Sequence, residues 1–403
     1  MFNKILSVLT VLCLVCSSFG ILTYATYDTS SSGVLAFDSD GKLKIMHVTD
    51  THLEESNVDD SVWLIGDACD RENPGIVVIT GDNVQNCDNS EDTKKLIDKL
   101  MNVFETRSIP VAVTFGNHDS ETGAMNREEL MAYYNTYSCS FSVDDGENLS
   151  GCGTYNIPVK SSDGKKITFN LWIFDSGDYD SEGHYGCVQK DQVEWYKMES
   201  DLLALQNNGK RVNSLVFQHI IVPEVYDALS KTDSQKLFSF EHMYNDNEYY
   251  MFNTDVKNYG TLNETPCCGY ENYGQFDAMA EKGDVLAMFT GHDHTNAFGV
   301  EYKGIDIVNS LSTRYNRDSY STQYGYRIIE VDESDTSVYS SRVVHWYDMI
   351  SAKDVVDYMS SGDNFGFSVA LDVLFRGVFQ KAINEIYRGF VYCITGRQVS
   401  YPD

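Results

Sequence analysis

The alternation of short apolar runs with helical segments constrains the fold of this chain more than any other feature. Runs rich in β-branched and apolar residues predict strands at 44–49, 76–80 and 111–115. Between them, apolar residues at helical spacing predict helices at 58–72 and 91–105. Strands that alternate with helices of this length form βαβ units with a mostly parallel, buried sheet. We therefore expect an α/β fold.

Predicted strands and helices continue to about residue 347, but from residue 154 onward they include antiparallel strand pairs. Segments 154–159 and 167–174 predict an antiparallel pair, and a helix is predicted at 189–205. Further strands are expected at 214–217, 284–290, 326–331 and 337–344, and a hairpin at 299–308 turning at Lys303-Gly304. We interpret residues 42–347 as one domain.

The first residues resemble a targeting segment. Lys4 precedes a stretch that stays uncharged from Ile5 to Tyr27, with small residues at Ser17, Ser18 and Gly20. Residues 1–25 therefore predict a signal peptide, and an uncleaved anchor is the alternative. Either interpretation places the bulk of the chain on the non-cytosolic side, secreted or in the lumen of the endomembrane or lysosomal system.

Cysteine usage agrees with that compartment. Ten cysteines are present, and eight would remain after signal cleavage. We expect disulfides, with Cys139 and Cys152 as one pair and the adjacent Cys267 and Cys268 reaching different partners. Two sequences, at 148–150 and 263–265, are glycosylation acceptors that an oxidising route would make usable.

Residues 348–403 form a separate C-terminal extension. From Phe367 onward, pairs of apolar residues recur at helical spacing, with charges on the rest of the wheel. This pattern predicts an amphipathic helix. It packs on the domain or on a second subunit, or it contacts a membrane surface; the uncleaved N-terminal anchor would be a second route to the membrane.

Polar clusters follow five of the predicted strands. They are Asp50-Thr51-His52, Gly81-Asp82-Asn83, Gly116-Asn117-His118-Asp119, His219 and Gly291-His292-Asp293-His294. Because the carboxyl ends of strands in open α/β sheets face the ligand crevice, all five clusters can converge on one rim. Carboxylate, imidazole and amide ligands suit two divalent ions such as Zn, Mn or Fe, without any thiolate.

This series of motifs resembles the calcineurin-like metallophosphoesterase superfamily. Stretches 113–119, 174–179, 218–220 and 289–296 are similar to the single-domain, purple-acid-phosphatase-like proteins of plants and fungi. The resemblance implies a two-sheet α/β sandwich flanked by helices. It also implies a set of roles for the motif residues. Asp50, His52 and His294 would bind one metal, Asn117, His219 and His292 the other, and Asp82 would bridge them. His118 would be the general acid or a donor to the transition-state oxygens, and Asp119 would orient or solvate His118.

The expected function is metal-dependent hydrolysis of phosphate monoesters by a hydroxide held between the two metals. A phosphodiesterase acting on nucleotides or phospholipid headgroups is one alternative, and a catalytically silent binding protein on the same fold is another. The net charge of −30 opposes binding to a nucleic-acid backbone. It still allows a small phosphorylated substrate, because bound cations invert the local potential.

Two regions bear on specificity and metal choice. The tyrosine-rich stretch 302–347, with Arg314, Tyr315 and Arg317, either borders the substrate or forms ordinary strand surface. Purple acid phosphatases carry an iron-binding tyrosine three residues after the Asp of Gly-Asp, where this chain has Gln85. We therefore expect a divalent centre without the purple colour, with Asn83 and Gln85 as polar groups that line the pocket.

Overall fold

Two β-sheets form the centre of the computed structural model, which describes residues 34–350 apart from 145–148, 237, 254 and 317–323. The predicted signal or anchor segment and the helix predicted from Phe367 lie outside the described residues, and so does Arg317. The described strands are β1 Lys42–Val48, β2 Ile76–Thr80, β3 Val111–Thr114, β4 Tyr155–Lys160, β5 Ile167–Ile173, β6 Ser214–Phe217, β7 Ser230–Thr232, β8 Phe240–Glu241, β9 Tyr249–Met251, β10 Asn258–Thr261, β11 Val285–Thr290, β12 Ala297–Tyr302, β13 Ile305–Asn309, β14 Gly325–Asp332 and β15 Asp335–His345.

Both large sheets contain a block of parallel strands; antiparallel strands flank it on both sides in the seven-stranded sheet and on one side in the five-stranded sheet. The five-stranded sheet has the order β15-β14-β1-β2-β3, in which β1, β2 and β3 are parallel. The seven-stranded sheet has the order β10-β12-β13-β11-β6-β5-β4, in which β5, β6, β11 and β13 are parallel. Parallel strands end at the same edge, so the loops that follow them gather there.

Helices cover the outer faces of both sheets. They are α1 Val58–Glu72, α2 Ser90–Glu105, α3 Arg127–Tyr134, α4 Lys190–Gln206, α5 Val225–Ala228, α6 Gln275–Lys282 and α7 Trp346–Met349. One apolar cluster joins α1, α2 and α3 to the five-stranded sheet, and a second joins α4 and α6 to the seven-stranded sheet. A third cluster, which includes Ile45, Val78, Leu171, Phe217 and Phe289, lies between the sheets. The predicted two-sheet sandwich flanked by helices is confirmed.

The small third sheet, β7-β9-β8, was not predicted. Its strands have two or three residues each, too short to show an alternating pattern. The short helix α3 was also missed, although Asn126 and Glu129 form a capping box at its start. Within the described part of the chain, no helix combines the length and apolarity needed to cross a membrane.

The seven described cysteines are free thiols, so the disulfide predicted between Cys139 and Cys152 is not formed. Both cysteines are buried in the apolar cluster beside the five-stranded sheet, and their backbone N–H groups bond to different carboxylates. The N–H of Cys139 donates to Glu105, and the N–H of Cys152 donates to Asp175. The wider prediction of disulfides in an oxidising compartment stays a prediction.

Candidate metal centre

The loops that carry the predicted ligands meet at one edge of the sandwich. Asp50, Asp82 and Asn117 follow β1, β2 and β3 of the five-stranded sheet. His219 follows β6, and His292 and His294 follow β11, both strands of the seven-stranded sheet. The centre is therefore built from both layers.

Unusual backbone angles aim these side chains. Four ligand candidates that are not glycine have positive φ: Asp50 (52°), His52 (40°), Asp82 (52°) and His292 (73°). Such conformations are uncommon outside glycine, and they persist where the surrounding structure enforces them, often at functional sites. The loops leave no room for a side chain at Gly291, because a Cβ there would lie 1.9 Å from Thr49 Oγ1.

The first cluster consists of Asp50, His52, Asp82 and His294, whose ligand atoms all lie within 4.8 Å of one another. The Nε2 atoms of His52 and His294 are 3.0 Å apart. Asp50 Oδ1 lies 3.8 Å from His52 Nε2 and 3.5 Å from His294 Nε2. The other oxygen of Asp50 accepts the Thr49 hydroxyl and the His292 N–H, which fixes the carboxylate.

The second cluster consists of Asp82, His219 and His292. Asp82 Oδ2 lies 3.2 Å from His219 Nε2, and it also lies 3.7 Å from His52 Nε2 in the first cluster. Asn117 Oδ1 is 3.2 Å from His219 Nε2. The Nδ1 of His219 lies 2.8 Å from the Thr80 carbonyl, so an N–H at Nδ1 leaves Nε2 free to bind a metal. Asp82 therefore lies where a bridging ligand is needed.

The donor atoms at the centre fit divalent cations. Three ligand atoms are buried: Asp50 Oδ1, Asp82 Oδ2 and His292 Nε2. None of the three has a hydrogen-bond partner of acceptable geometry among the described residues. Buried polar atoms without partners are rare and need an explanation such as a bound ion. The set of carboxylate, imidazole and amide donors is one that Zn, Mn or Fe accept.

The protonation states of the ligand side chains also favour cation binding. Burial alone would raise the pKa of Asp82, but His219 outweighs it, so the pKa is lowered and the carboxylate is ionised. Burial lowers the pKa of His292 to about 3 and that of His52 to about 4, so both rings are neutral. Neutral imidazole and ionised carboxylate are the forms that bind metal.

His219 should make metal binding depend on pH. Burial alone would lower its pKa, but Asp82 and Asp50 outweigh burial and raise the pKa to about 9. Below that pH a metal must displace the proton, so affinity should rise by about tenfold per pH unit from pH 6 to 9 for this group. Metal titrations followed by calorimetry across this range provide the test. An affinity that stays constant with pH would contradict the assignment of His219 as a ligand.

His118 lies beside the first cluster and has a partner that was not predicted. Its ring centroid is 5.6 Å from that of His52, and its side chain is 35% exposed. Its Nδ1 lies 2.5 Å from Glu121 Oε2, so the carboxylate orients the ring and holds a proton on Nδ1. A turn closes between the two residues, where the Glu121 N–H donates to the His118 carbonyl.

The role predicted for Asp119 is corrected. Its two carboxylate oxygens accept the backbone N–H groups of Gly116, Asp82 and Asn83. Asp119 therefore ties the loop after β2 to the loop after β3, and orientation of the His118 ring falls to Glu121. Asp119 is a positioning residue and not a catalytic one.

Two further positioning contacts act on the loop after β3. The partly buried Arg127 pairs with Asp175 and donates to the Gly116 carbonyl. Asn117 donates its amide N–H to the Tyr179 hydroxyl at 2.8 Å, which turns its Oδ1 toward His219. Asp175 and Tyr179 lie in the stretch 174–179, which the sequence had singled out without assigning roles.

The structure also places the other residues discussed from the sequence. Tyr315 is buried beside Trp346, so it neither borders a substrate nor forms strand surface. Arg314 pairs with Glu54, two residues after His52. Gln85 is half-buried, and its N–H donates to the Leu53 carbonyl. His47 is fully buried, and its ring nitrogens lie within hydrogen-bond distance of the Ser310 and Thr80 hydroxyls.

An α/β sandwich whose edge carries two carboxylate–imidazole clusters with one shared aspartate defines a candidate dinuclear metalloprotein. Comparison with known proteins agrees with this class. Residues 43–296 match the family model described as calcineurin-like phosphoesterase. This match spans more than half of the chain, so the chain belongs to the calcineurin-like phosphoesterase family.

Several named proteins are similar to this chain. "Probable inactive purple acid phosphatase 14" of Arabidopsis thaliana is 27% identical over 70% of this chain and 73% of its own length. "Phosphatase DCR2" of Saccharomyces cerevisiae is 28% identical over 48% of this chain and 37% of its own length. A dimetal phosphatase from Danio rerio matches with a TM-score of 0.46 and 12% identity, over 75% of this chain and 99% of that one.

Proposed function

We propose that this protein hydrolyses phosphate monoesters with two divalent metal ions. The observation that carries the proposal is the position of Asp82 between the two ligand clusters. A carboxylate shared in this way lets two ions lie close enough to act on one phosphoryl group. When bound, such ions would supply Lewis-acid stabilisation of the phosphoryl oxygens and would activate water.

The chain's own residues then have distinct tasks. Asp50, His52, Asp82 and His294 would hold one ion, and Asp82, Asn117, His219 and His292 the other. His118, oriented by Glu121, would give a proton to the departing ester oxygen. The partly exposed His118 and His294 mark the side of the centre from which substrate enters.

Turnover of p-nitrophenyl phosphate by the purified protein tests the proposal. We expect hydrolysis with added Zn²⁺, Mn²⁺ or Fe²⁺, loss of activity on chelation and recovery when the metal is restored. Absence of turnover in metal-replete protein would favour the catalytically silent alternative; two similar plant proteins carry the word "inactive" in their names. A higher kcat/KM for bis-p-nitrophenyl phosphate than for the monoester would favour the phosphodiesterase alternative.

Gln85 predicts the colour of the metal-loaded protein. A phenolate ligand favours ferric iron because it is anionic and electron-donating, whereas a neutral amide at this position offers little of either property. We expect a colourless enzyme that is active with divalent ions. Gln85→Tyr should introduce a visible band in iron-loaded protein, and Gln85→Glu serves as a matched control that adds charge without a phenolate. A strong visible band in protein isolated aerobically, lost when iron is removed, would contradict this prediction.

The compartment and partners are part of the same proposal. The N-terminal pattern supports a secreted or lumenal protein that acts on a small phosphorylated substrate. Membrane contact through the N-terminal anchor or the C-terminal amphipathic helix stays a prediction from the sequence. Intact mass spectrometry of secreted protein would show whether residues 1–25 are removed.

A further inference from the structure

Aromatic rings border the second ligand cluster. The Tyr179 hydroxyl accepts a hydrogen bond from Asn117 at 2.8 Å. The ring of Tyr185 meets the ring of His292 edge-on, with centroids 4.2 Å apart and planes at 85°. Tyr179 and Tyr185 also stack on each other, with centroids 5.5 Å apart and planes at 29°. Two tyrosines thus extend outward from the residues proposed to hold the second ion.

These tyrosines lie on a tight hairpin, residues 178–186, whose backbone is well fixed. The Gly186 N–H donates to the Asp178 carbonyl at 2.9 Å, and the Asp180 N–H donates to the His184 carbonyl at 2.8 Å. The Asp180 carboxylate also accepts the His184 N–H and pairs with the His184 ring. A ring on such a hairpin has little freedom to lose when a ligand packs on it.

Two more rings brace the hairpin from the other side. His184 stacks face to face on Tyr270, with centroids 4.1 Å apart and planes at 17°. Tyr244 meets both rings edge-on, and its hydroxyl donates to the Cys268 carbonyl. We call these five residues the aromatic rim: Tyr179, His184, Tyr185, Tyr244 and Tyr270. Although the rim is anchored in this way, Tyr179 is 39% exposed and Tyr270 is 50% exposed.

The rim also lies close to the proposed acid. Asn117, whose amide donates to the Tyr179 hydroxyl, directly precedes His118 in the chain. Tyr179 is thus joined by one hydrogen bond to the loop that carries the His118–Glu121 pair. Because His118 is proposed to protonate the departing oxygen, the group attached to that oxygen would leave past the exposed face of Tyr179.

The negative charge of the hairpin restricts the chemistry of the leaving group that it can accommodate. It carries Asp178, Asp180 and Glu182 and contains no lysine or arginine. A leaving group with further phosphates would meet like charge there. A neutral planar group would instead find rigid aromatic faces, on which bases and aryl rings stack.

We propose that the aromatic rim stacks a planar ring of the ester, so that the preferred substrate is a phosphomonoester of a nucleoside-like or aryl-bearing alcohol. The inference rests on the proposed function, since it assigns the leaving group of that reaction. Tyr179 is the specificity-determining residue.

Two substrate pairs isolate the ring from the chemistry. Adenosine 5′-monophosphate and ribose 5-phosphate share a primary alkoxide leaving group but differ in the base. Benzyl phosphate and cyclohexylmethyl phosphate also share a primary alkoxide leaving group, but only the benzyl ester carries a planar aromatic ring. We expect kcat/KM to favour the planar member by about 5- to 150-fold, the range that one stacked base contributes. A preference in the first pair alone identifies nucleotides as the source of the ring, and a preference in the second alone identifies aryl esters.

Variants at Tyr179 separate stacking from the hydrogen bond to Asn117. Tyr179→Leu should bring the preference close to one, whereas Tyr179→Phe should keep it even where both rates fall. Trp63→Leu, which removes an exposed ring on α1, should change neither rate nor preference. A wild-type preference near one in both pairs, or a preference that survives Tyr179→Leu, would overturn the proposal.

Binding gives a readout that is independent of turnover. In metal-loaded His118→Ala protein, calorimetry should show tighter binding of adenosine 5′-monophosphate than of ribose 5-phosphate, and Tyr179→Leu should remove the difference. If this difference is found but the wild-type protein hydrolyses none of the four esters, the proposed function fails and the stacking site stands. If all four esters are hydrolysed with equal efficiency, the stacking site fails and the proposed function stands.

Discussion

Replacement of Asp82 by asparagine should remove metal and activity together. The variant keeps the oxygen that accepts the His118 N–H, so the loop after β3 should stay in place. It loses the charge that two cations would share. Loss of several kcal/mol of charge stabilisation corresponds to about a 10³-fold fall in turnover.

Metal analysis after dialysis and turnover of p-nitrophenyl phosphate measure both effects. Asp163→Asn, which neutralises an exposed carboxylate in the turn between β4 and β5, should bind metal and turn over like the wild type. An Asp82→Asn variant that retains two ions per chain and normal activity would show that Asp82 does not bridge the two metal ions.

His118→Ala should lower activity without removing metal. A positioned acid contributes about 10²- to 10⁴-fold, and we expect a loss in that range for alkyl phosphates. The loss should be much smaller for p-nitrophenyl phosphate, because nitrophenolate departs without a proton. Glu121→Gln removes the carboxylate that orients the ring, and a smaller loss of about 10- to 100-fold is expected.

The comparison of leaving groups decides the role of His118. An equal loss for alkyl and nitrophenyl esters would mean that the histidine stabilises charge on the phosphoryl oxygens and does not protonate the leaving group. Full activity of Glu121→Gln with both esters would mean that His118 needs no orienting partner.

Strand positions and ligand identities could be predicted from the sequence because their signals are local. The runs before Asp50, Asp82, His219 and His292 are short and rich in apolar and β-branched residues. The last residue of each of these four strands lies within about one residue of its predicted position. Each polar motif follows its strand directly. Parallel pairing then places the ends of neighbouring strands in each sheet side by side, and packing of the two sheets brings the two sets of ends together.

Contacts that depend on loop geometry could not be predicted in the same way. Glu121 reaches His118 across a turn, and sequence spacing gives no sign that it, and not Asp119, faces the ring. Asp119 faces away because three backbone N–H groups from two loops converge on its carboxylate. The aromatic rim joins segments around 179–185, 244 and 270, whose proximity depends on the whole fold.

The division of the ligands between the two sheets has a mechanical consequence. Asp50 and Asn117 belong to one layer and His219 and His294 to the other. Elsewhere in the sandwich core, apolar packing and hydrogen bonds from side chains of one sheet to the other hold the layers face to face. Ions bound by ligands from both sheets would cross-link segments that lie far apart in the sequence. Because a ligand bound only by the native state stabilises that state, chelation should lower the melting temperature as well as stop the chemistry. The ions would thus limit how far the two layers can part.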